Sequence, residues 1–179
     1  EISLGLVGSE MCIRDRQLTV YTFSIDEITE HDLHKILSIY NSNPSFLKSH
    51  IGTTYISKDF IARELYKMKK IGFKSVVAKT PENNIIAISD FKTAEETYLS
   101  LFMLDANYKE KGFGSRIYCQ LENLFRSEGS TKVRIDVVYD YQDNSLGFWK
   151  KQGFIPHEKI LLEWNGFKSH AIKMLKNIS

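Results

Sequence analysis

A strand pattern, a glycine-containing turn and a helix pattern follow one another over residues 98–126, and this order constrains the fold more than any other feature. Gly112 and Gly114 allow the turn to bend sharply and to approach a ligand closely. The unpaired N–H groups at the start of a helix, with the helix dipole behind them, attract an anion. Three cations add positive charge: Lys109, Lys111 and Arg116. The turn therefore predicts a ligand with a pyrophosphate, with a plain strand-to-helix connection as the alternative.

The helix pattern leads into a second strand, 133–137, in which apolar and polar residues alternate. A strand–helix–strand unit of this kind predicts two parallel strands joined by a right-handed crossover. Asn165-Gly166, between two apolar segments, is the signal of a β-hairpin. Further patterns predict a strand at 18–23, helices that begin at Thr29 and Ser57, strands at 75–80 and 85–93, and a short helix capped by Asp143 or Asn144. We therefore expect a fold of the α/β (α+β) class, with a single mixed sheet of about seven strands and helices on both faces.

Length and composition fit one domain: the chain has 179 residues, of which 42% are hydrophobic and 26% charged. Basic residues number 24 and acidic residues 22, a balance that argues against a nucleic-acid partner. No apolar run reaches the ~18 residues that a membrane span needs, so we expect no membrane partner. Residues 1–17 show no clear period, and we expect a non-native or disordered extension before a domain at 18–179, with a flexible native terminus as the alternative.

Cysteine and histidine usage argues against two further kinds of site. Two cysteines do not make a disulfide framework, so a reducing, cytoplasmic location is the expectation. The five histidines show no metal-ligand spacing, so no metal site is expected. The apolar residues of the C-terminal hairpin fit a second subunit or the chain's own core, which leaves monomer and homodimer open.

Two motifs carry a resemblance to a known family. The turn reads Lys109-x-x-Gly112-x-Gly114, and a second segment reads Asn144-x-x-x-Phe148-Trp149-x-Lys151-x-Gly153-Phe154. The first is similar to Q/R-x-x-G-x-G/A and the second to a segment that ends in Y-x-K-x-G-F, both typical of the GNAT family of N-acetyltransferases. With the order of elements, the resemblance covers residues 18–175.

The resemblance implies acetyl-CoA as the co-substrate and an amine as the acetyl acceptor. In that family the two parallel central strands splay apart, and the pantetheine arm lies in the V between them. This implies contacts of the arm with the main chain of Phe102, Met103 and Leu104. The other implied contacts with the cofactor come from the turn and the second motif: Lys109, Glu110, Lys111, Gly112, Phe113, Gly114, Ser115, Arg116, Asn144, Trp149 and Lys151.

Two residues depart from the family's pattern. Lys109 stands where Gln or Arg is usual, and it offers charge without the bidentate fork of Arg. Trp149 stands where many members have a Tyr that protonates the leaving thiolate. An indole N–H can hydrogen-bond sulfur but is not a proton donor near neutral pH. Either another group or water supplies that proton, or the protein is a poor catalyst.

An amine arrives as an ammonium ion and must lose a proton before it can attack. Asp90 and Asp136, in strands 85–93 and 133–137, are the candidate bases acting through water, with a solvated or ion-paired acid as the alternative for each. Tyr141 is a candidate proton donor or cleft residue. The resemblance also implies that a main-chain N–H near Leu104 donates to the oxyanion of the tetrahedral intermediate.

The resemblance assigns acceptor choice to the first two helices and their connection, here residues 40–47 and 50–55. These segments are aromatic and polar with few acids, which argues against a polyamine or an aminoglycoside. A small-molecule amine and a peptide N-terminus remain open. A non-catalytic acyl-CoA-binding sensor or scaffold is the alternative function, and Trp149 favours it. A phosphate-anchored nucleotide-binding protein is a third reading, against which the pairing of both motifs argues.

Overall fold

The computed structural model describes residues 22–179. The expected extension at 1–17 and residues 18–21 of the first predicted strand lie outside this range. The first described strand, β1 (Ser24–Glu27), pairs antiparallel with β2 (Lys74–Lys79) from Ser24 opposite Lys79. The prediction that Phe23 lies in a strand was therefore wrong: it precedes the ladder, and its ring is buried in the core.

After β1, the described chain has three helices, then three strands, and then two further helices that alternate with the last strands. The remaining elements are α1 (Leu33–Asn41), α2 (Pro44–Ile51), α3 (Lys58–Lys70), β3 (Ile85–Lys92), β4 (Glu96–Leu104), α4 (Phe113–Ser127), β5 (Lys132–Val138), α5 (Leu146–Lys151), β6 (Ile155–Trp164) and β7 (Phe167–Asn177). The predicted caps are present: Thr29 and Asp32 form a capping box, and the Ser57 hydroxyl accepts from Phe60 N–H at 3.2 Å. Within residues 22–179, no helix has the length and apolar character that crossing a membrane requires.

The seven strands of residues 22–179 form one mixed sheet in the order β1-β2-β3-β4-β5-β7-β6, which confirms the predicted fold class. The central strands β4 and β5 are parallel and pair only at their first residues, from Glu96 opposite Lys132 to Tyr98 opposite Arg134. Beyond this point β4 stays paired with β3 and β5 with β7, so the two strands separate. The result is a V-shaped gap in the middle of the sheet, called here the β4–β5 gap.

Hydrophobic clusters cover both faces of the sheet, because successive strand residues point to opposite sides. One cluster joins the sheet to α4 and α5, and the other joins it to α1, α2 and α3. A bulge in β4 changes which face its side chains reach: Asp90 pairs with Leu101 but Phe91 with Leu99, so Ser100 is the extra residue. Leu99 consequently packs in the first cluster and Leu101 in the second.

Two helices begin where the sequence did not predict them. We expected 41–44 to end a helix and start a connection, but Pro44 opens α2, because a proline needs no donor in the first turn. In α5 the residue before the helix is Ser145, not the predicted Asp143 or Asn144. The Asn144 side chain instead accepts from Leu146 N–H at 3.2 Å and shapes the preceding turn.

Candidate active site

The start of α4 leaves several N–H groups without acceptors. Gly112 precedes the helix with a φ of 78°, and its carbonyl accepts from Arg116 N–H at 3.4 Å. Within the described part of the chain, the N–H groups of Lys111, Gly112, Gly114 and Ser115 donate no hydrogen bond. Together with the positive end of the helix dipole, these donors fit a phosphate group.

Lys109, Glu110 and Lys111, which precede Gly112 in the predicted turn, are held by local main-chain geometry and hydrogen bonds. We expected the Lys109 N–H to contact a ligand. It instead donates to the Ala106 carbonyl at 3.3 Å and is not available for that contact. Glu110 has a φ of 60°, which directs the chain into the helix. Lys111 Nζ donates to the Asn107 carbonyl at 2.7 Å. The predicted cofactor-binding cations form no ion pair with any of residues 22–179: Lys109, Lys111, Arg116 and Lys151.

Gly114 lies where the first turn of α4 touches α5 and β4. A Cβ atom at this position would lie 3.3 Å from Phe148 Cε2 and 4.0 Å from the Phe102 ring. Those two rings stack with their centroids 6.1 Å apart. Phe113, by contrast, packs edge-on against Phe23, with ring centroids 5.8 Å apart. The absence of a side chain at Gly114 therefore lets the three elements meet at the open N–H groups.

The register of β4 decides which of its main-chain groups face the β4–β5 gap. Asp105 N–H donates to the Ile86 carbonyl at 2.8 Å, in line with the β3–β4 register. Hydrogen-bonded positions alternate along an antiparallel ladder, so Met103 is bonded to β3. The main-chain groups of Phe102 and Leu104 point into the gap instead. The expected main-chain contact from Met103 is therefore not compatible with the register.

Trp149 is buried in an aromatic cluster beside the gap. Its ring centroid lies 4.9 Å from Phe148, 5.2 Å from Phe154, 5.4 Å from Tyr118 and 5.7 Å from Phe102. The indole Nε1 forms no hydrogen bond with the described residues. Trp149 thus supports the walls of the gap, and its N–H remains available to a bound group.

Asn144 uses its amide inside the β5–α5 loop. Its Nδ2 donates to the carbonyls of Tyr141 at 2.8 Å and Tyr139 at 3.4 Å, and its Oδ1 accepts from Leu146. Both amide protons are therefore occupied. Asn144 orders the loop that carries Tyr141, and only an oxygen lone pair is left for a ligand.

A cavity of about 300 Å³ begins at the gap and continues between the sheet and helices α1–α3. Phe102, Val138 and Trp149 line it at the gap. Four acids from four different elements also line it: Glu64, Asp90, Asp136 and Glu163. The cavity therefore contains more acidic side chains than segments 40–47 and 50–55 indicated. The additional acids come from other elements, α3, β3, β5 and β6.

Two of the four acids are already neutralised by cations. Asp136, whose side chain is 2% exposed, accepts from Arg134 Nε at 3.0 Å and Nη2 at 2.8 Å. Glu64 accepts from Lys67 Nζ at 2.8 Å and from the Trp164 indole at 2.6 Å. Although burial opposes it, hydrogen bonding to Lys67 and Trp164 lowers the pKa of Glu64. Neither carboxylate is available as a free base.

Asp90 is different, because one of its oxygens is buried without a partner. The residue is 5% exposed, and Oδ1 has no hydrogen-bond partner in residues 22–179. Burial raises the pKa of Asp90 to about 6. The negative charge of Glu64 raises it further, whereas a hydrogen bond with Ser75 lowers it. Burial and the charges of Asp90 and Glu64 also raise the pKa of Tyr40, which lies in the same cavity. Asp90 is the predicted base that the structure leaves free to accept a proton.

His50 also lines the cavity, and it belongs to segment 50–55, to which the resemblance assigned acceptor choice, although the sequence gave its side chain no specific role. Its ring stacks on Phe46 at 3.7 Å, and its Nδ1 lies 2.8 Å from the Phe46 carbonyl. A carbonyl only accepts, so Nδ1 carries the proton and Nε2 is an acceptor. Burial lowers the pKa of His50 to about 4 and keeps the ring neutral. Phe46 and His50 are four residues apart, so they lie on the same face of α2. This spacing would have predicted their contact, but α2 was not predicted from the sequence.

Tyr141 stands beside His50, with ring centroids 6.0 Å apart. It lines the cavity, and burial raises the pKa of its hydroxyl, which is therefore protonated at neutral pH. The site thus combines a phenol, a neutral imidazole and the carboxyl of Asp90. No group of three His, Cys, Asp or Glu side chains in the described range is placed to hold a metal ion.

The family model described as the acetyltransferase (GNAT) family matches residues 60–154, which include the turn, the gap and both motifs. This chain belongs to the GNAT family. The resemblance seen in the sequence is thereby confirmed, and membership supports acyl transfer as the general activity of the site. No curated protein matches the sequence at a significant level.

Solved structures of other N-acetyltransferases share the fold of this GNAT domain. Spermidine N-acetyltransferase from Vibrio cholerae, in complex with CoA and spermine, is 15% identical with a TM-score of 0.68, covering 87% of this chain and 95% of that one. An acetyltransferase from Thermus thermophilus is 16% identical with a TM-score of 0.69, and the match covers 89% of this chain and 99% of that one. The ribosomal-protein-S18-alanine N-acetyltransferase from Escherichia coli is 15% identical with a TM-score of 0.63, covering 88% and 95%. At these identities the likeness establishes the fold alone.

Proposed function

We propose that this GNAT domain transfers the acetyl group of acetyl-CoA directly to a primary amine. The observation that carries the proposal is one continuous cavity that joins the β4–β5 gap to the buried, unpartnered carboxyl oxygen of Asp90. A thioester in the gap and an amine near Asp90 would share this space. Proximity of this kind supplies a large part of the rate enhancement in a two-substrate reaction.

The donor would be held mainly by main-chain groups. The open N–H groups of Lys111, Gly112, Gly114 and Ser115 suit its pyrophosphate, and Arg116 suits a further phosphate. The main-chain groups of Phe102 that face the gap suit an amide of the pantetheine arm. The Leu104 carbonyl already accepts from Asn43 at 3.0 Å, which leaves its N–H as the donor to the oxyanion.

In the proposed reaction, Asp90 accepts a proton from the ammonium group through water. The neutral amine nitrogen then forms a bond to the acetyl carbonyl carbon, and the oxyanion is stabilised by the Leu104 N–H. The bonded nitrogen then loses its second proton to water, and collapse of the tetrahedral intermediate breaks the C–S bond and gives the neutral amide and the CoA thiolate. The Trp149 indole hydrogen-bonds the sulfur, and Tyr141 or water supplies the proton that makes CoA a thiol.

Calorimetric titration of the full chain with acetyl-CoA tests the first half of the proposal. We expect micromolar affinity, with neither ATP nor NAD competing. Release of free thiol in the presence of a panel of primary amines tests the second half. Binding without thiol release for any amine would favour the non-catalytic acyl-CoA-binding alternative, which the replacement of Tyr by Trp149 motivates. No binding at all would overturn both.

The raised pKa of Asp90 predicts the pH dependence of the reaction. Since Asp90 must be ionised to accept a proton, kcat/KM should fall tenfold per pH unit below about 6, and Asp90→Asn should lower kcat/KM ~10²–10⁴-fold. Folding favours the protonated carboxyl, so its contribution to stability is present below pH 3.8 and is lost as the pH rises through about 6. The Tm of Asp90→Asn relative to wild type should therefore increase over this window. A rate profile that keeps its acid limb in Asp90→Asn would exclude Asp90 as the base.

A further inference from the structure

The charge balance of the cavity indicates what kind of amine it accepts. Of its four acids, Glu64 and Asp136 are paired with cations, and Glu163 is exposed on β6. Asp90 alone offers a buried oxygen that is unpartnered among the described residues. We propose that the acceptor is a monoamine with an aromatic or branched apolar body, its ammonium held at Asp90. The proposal rests on the proposed function and narrows its substrate class.

Among residues 22–179, Asp90 is the one buried acid of the cavity without a cationic partner, so the interior can hold one ammonium group. The second cation of a polyamine would enter a cavity whose deeper acids are already neutralised, and a buried charge without a partner is strongly unfavourable. Charge balance therefore selects against acceptors with several positive groups, although the cavity contains several acids.

The remaining walls favour an apolar body. Side chains from α2, α3, the α3–β2 connection and the sheet surround the space with rings and aliphatic groups: Phe46, Leu65, Met68, Phe73, Leu101 and Trp164. Trp164 is fixed by its bond to Glu64, and Phe46 meets it edge-on with ring centroids 6.4 Å apart. Rings held in this way suit the faces and edges of an aromatic ligand. A volume of about 300 Å³ lies at the small end of ligand sites, so the body is short.

Binding of 2-phenylethylamine and of spermidine to the full chain, with and without CoA at pH 8, tests the proposal. We expect 2-phenylethylamine to bind at least tenfold more tightly than spermidine. Asp90→Asn, which keeps the shape of the side chain, should weaken the binding of 2-phenylethylamine at least tenfold. The uncharged analogue 2-phenylethanol should bind wild type weakly and be unaffected by the substitution. Glu95→Gln removes the same charge from the exposed β3–β4 turn, and it should leave the affinity for both amines unchanged.

Three outcomes would overturn the proposal: spermidine binding as tightly as 2-phenylethylamine, unchanged affinity in Asp90→Asn, or no binding of 2-phenylethylamine with or without CoA. The comparison of the two amines uses wild type alone, so it stands even if Asp90→Asn fails to fold. Binding is measured without turnover. Amine binding as expected, without thiol release from acetyl-CoA, would refute the transferase and leave the amine site in place.

Discussion

Gly112→Asp is expected to weaken acetyl-CoA binding at least 100-fold, equivalent to ~2.7 kcal/mol. The new carboxylate would stand at the N-terminus of α4, beside the N–H groups that have no acceptor in the described chain. It would repel the pyrophosphate and compete with it for those donors. The φ of 78° adds strain, because a residue with a Cβ atom in this region costs roughly 1–2 kcal/mol. Calorimetric titration measures the loss directly.

A matched control exists at the other end of the same helix. Gly129 has a φ of 90° and, like Gly112, has no atom within 4 Å of the position that a Cβ atom would occupy. Gly129→Asp therefore introduces the same charge and similar strain away from the open N–H groups, and it should leave acetyl-CoA affinity within twofold of wild type. Gly112→Asn isolates the strain from the charge and should lose far less affinity than Gly112→Asp. Equal losses in Gly112→Asp and Gly129→Asp would show that the turn is not the phosphate site.

Trp149→Ala is expected to cost ~3–5 kcal/mol of unfolding free energy, because it removes a buried indole from contact with four other rings. For a chain of this size, that corresponds to a fall in Tm of roughly 6–20 °C. Thermal unfolding monitored by circular dichroism measures it. A fall below about 3 °C would mean that the cluster closes over the vacated space.

Trp149→Tyr and Trp149→Phe separate the structural role of Trp149 from a role in proton transfer. Both keep an aromatic ring in the cluster, so both should fold, with a smaller loss of Tm than Trp149→Ala. Only Tyr restores an ionisable hydroxyl at this position. If protonation of the thiolate limits the wild-type rate, kcat should rise in Trp149→Tyr and not in Trp149→Phe. Equal kcat in all three proteins would show that another group or water already supplies the proton.

The fold was accessible from the sequence because its signals are local. The strand–turn–helix–strand order specifies a parallel pair, and Asn165-Gly166 specifies a two-residue turn, whose φ values of 51° and 80° confirm it. The errors arose where a local signal has two meanings. Pro44 was taken as the end of a helix, whereas it also suits the first turn of one, so α2 and the position of His50 were missed.

The glycine turn that we propose as the phosphate site could be located from the sequence alone, because glycines and a helix start are adjacent along the chain. Which N–H groups stay open was not, since Lys109 N–H is consumed by Ala106 through a short 3-10 turn. Likewise, the direction of the Met103 main chain depends on the β3–β4 register, which is a property of two strands together. Local sequence fixes the type of element, and pairing between elements fixes where its polar groups point.

The sequence by itself determined the fold class, the family and the candidate pair of carboxylates, Asp90 and Asp136. Only the tertiary structure distinguishes the surroundings of the two and favours Asp90 as the proposed base. Arg134 neutralises Asp136 from a position two residues away on the same strand, whereas Asp90 is enclosed by helices and keeps one oxygen without a partner among residues 22–179. The free energy of a carboxylate depends on what surrounds it in space. Burial and ion pairing are properties of the assembled sheet and helices, so residue type and spacing alone do not reveal them.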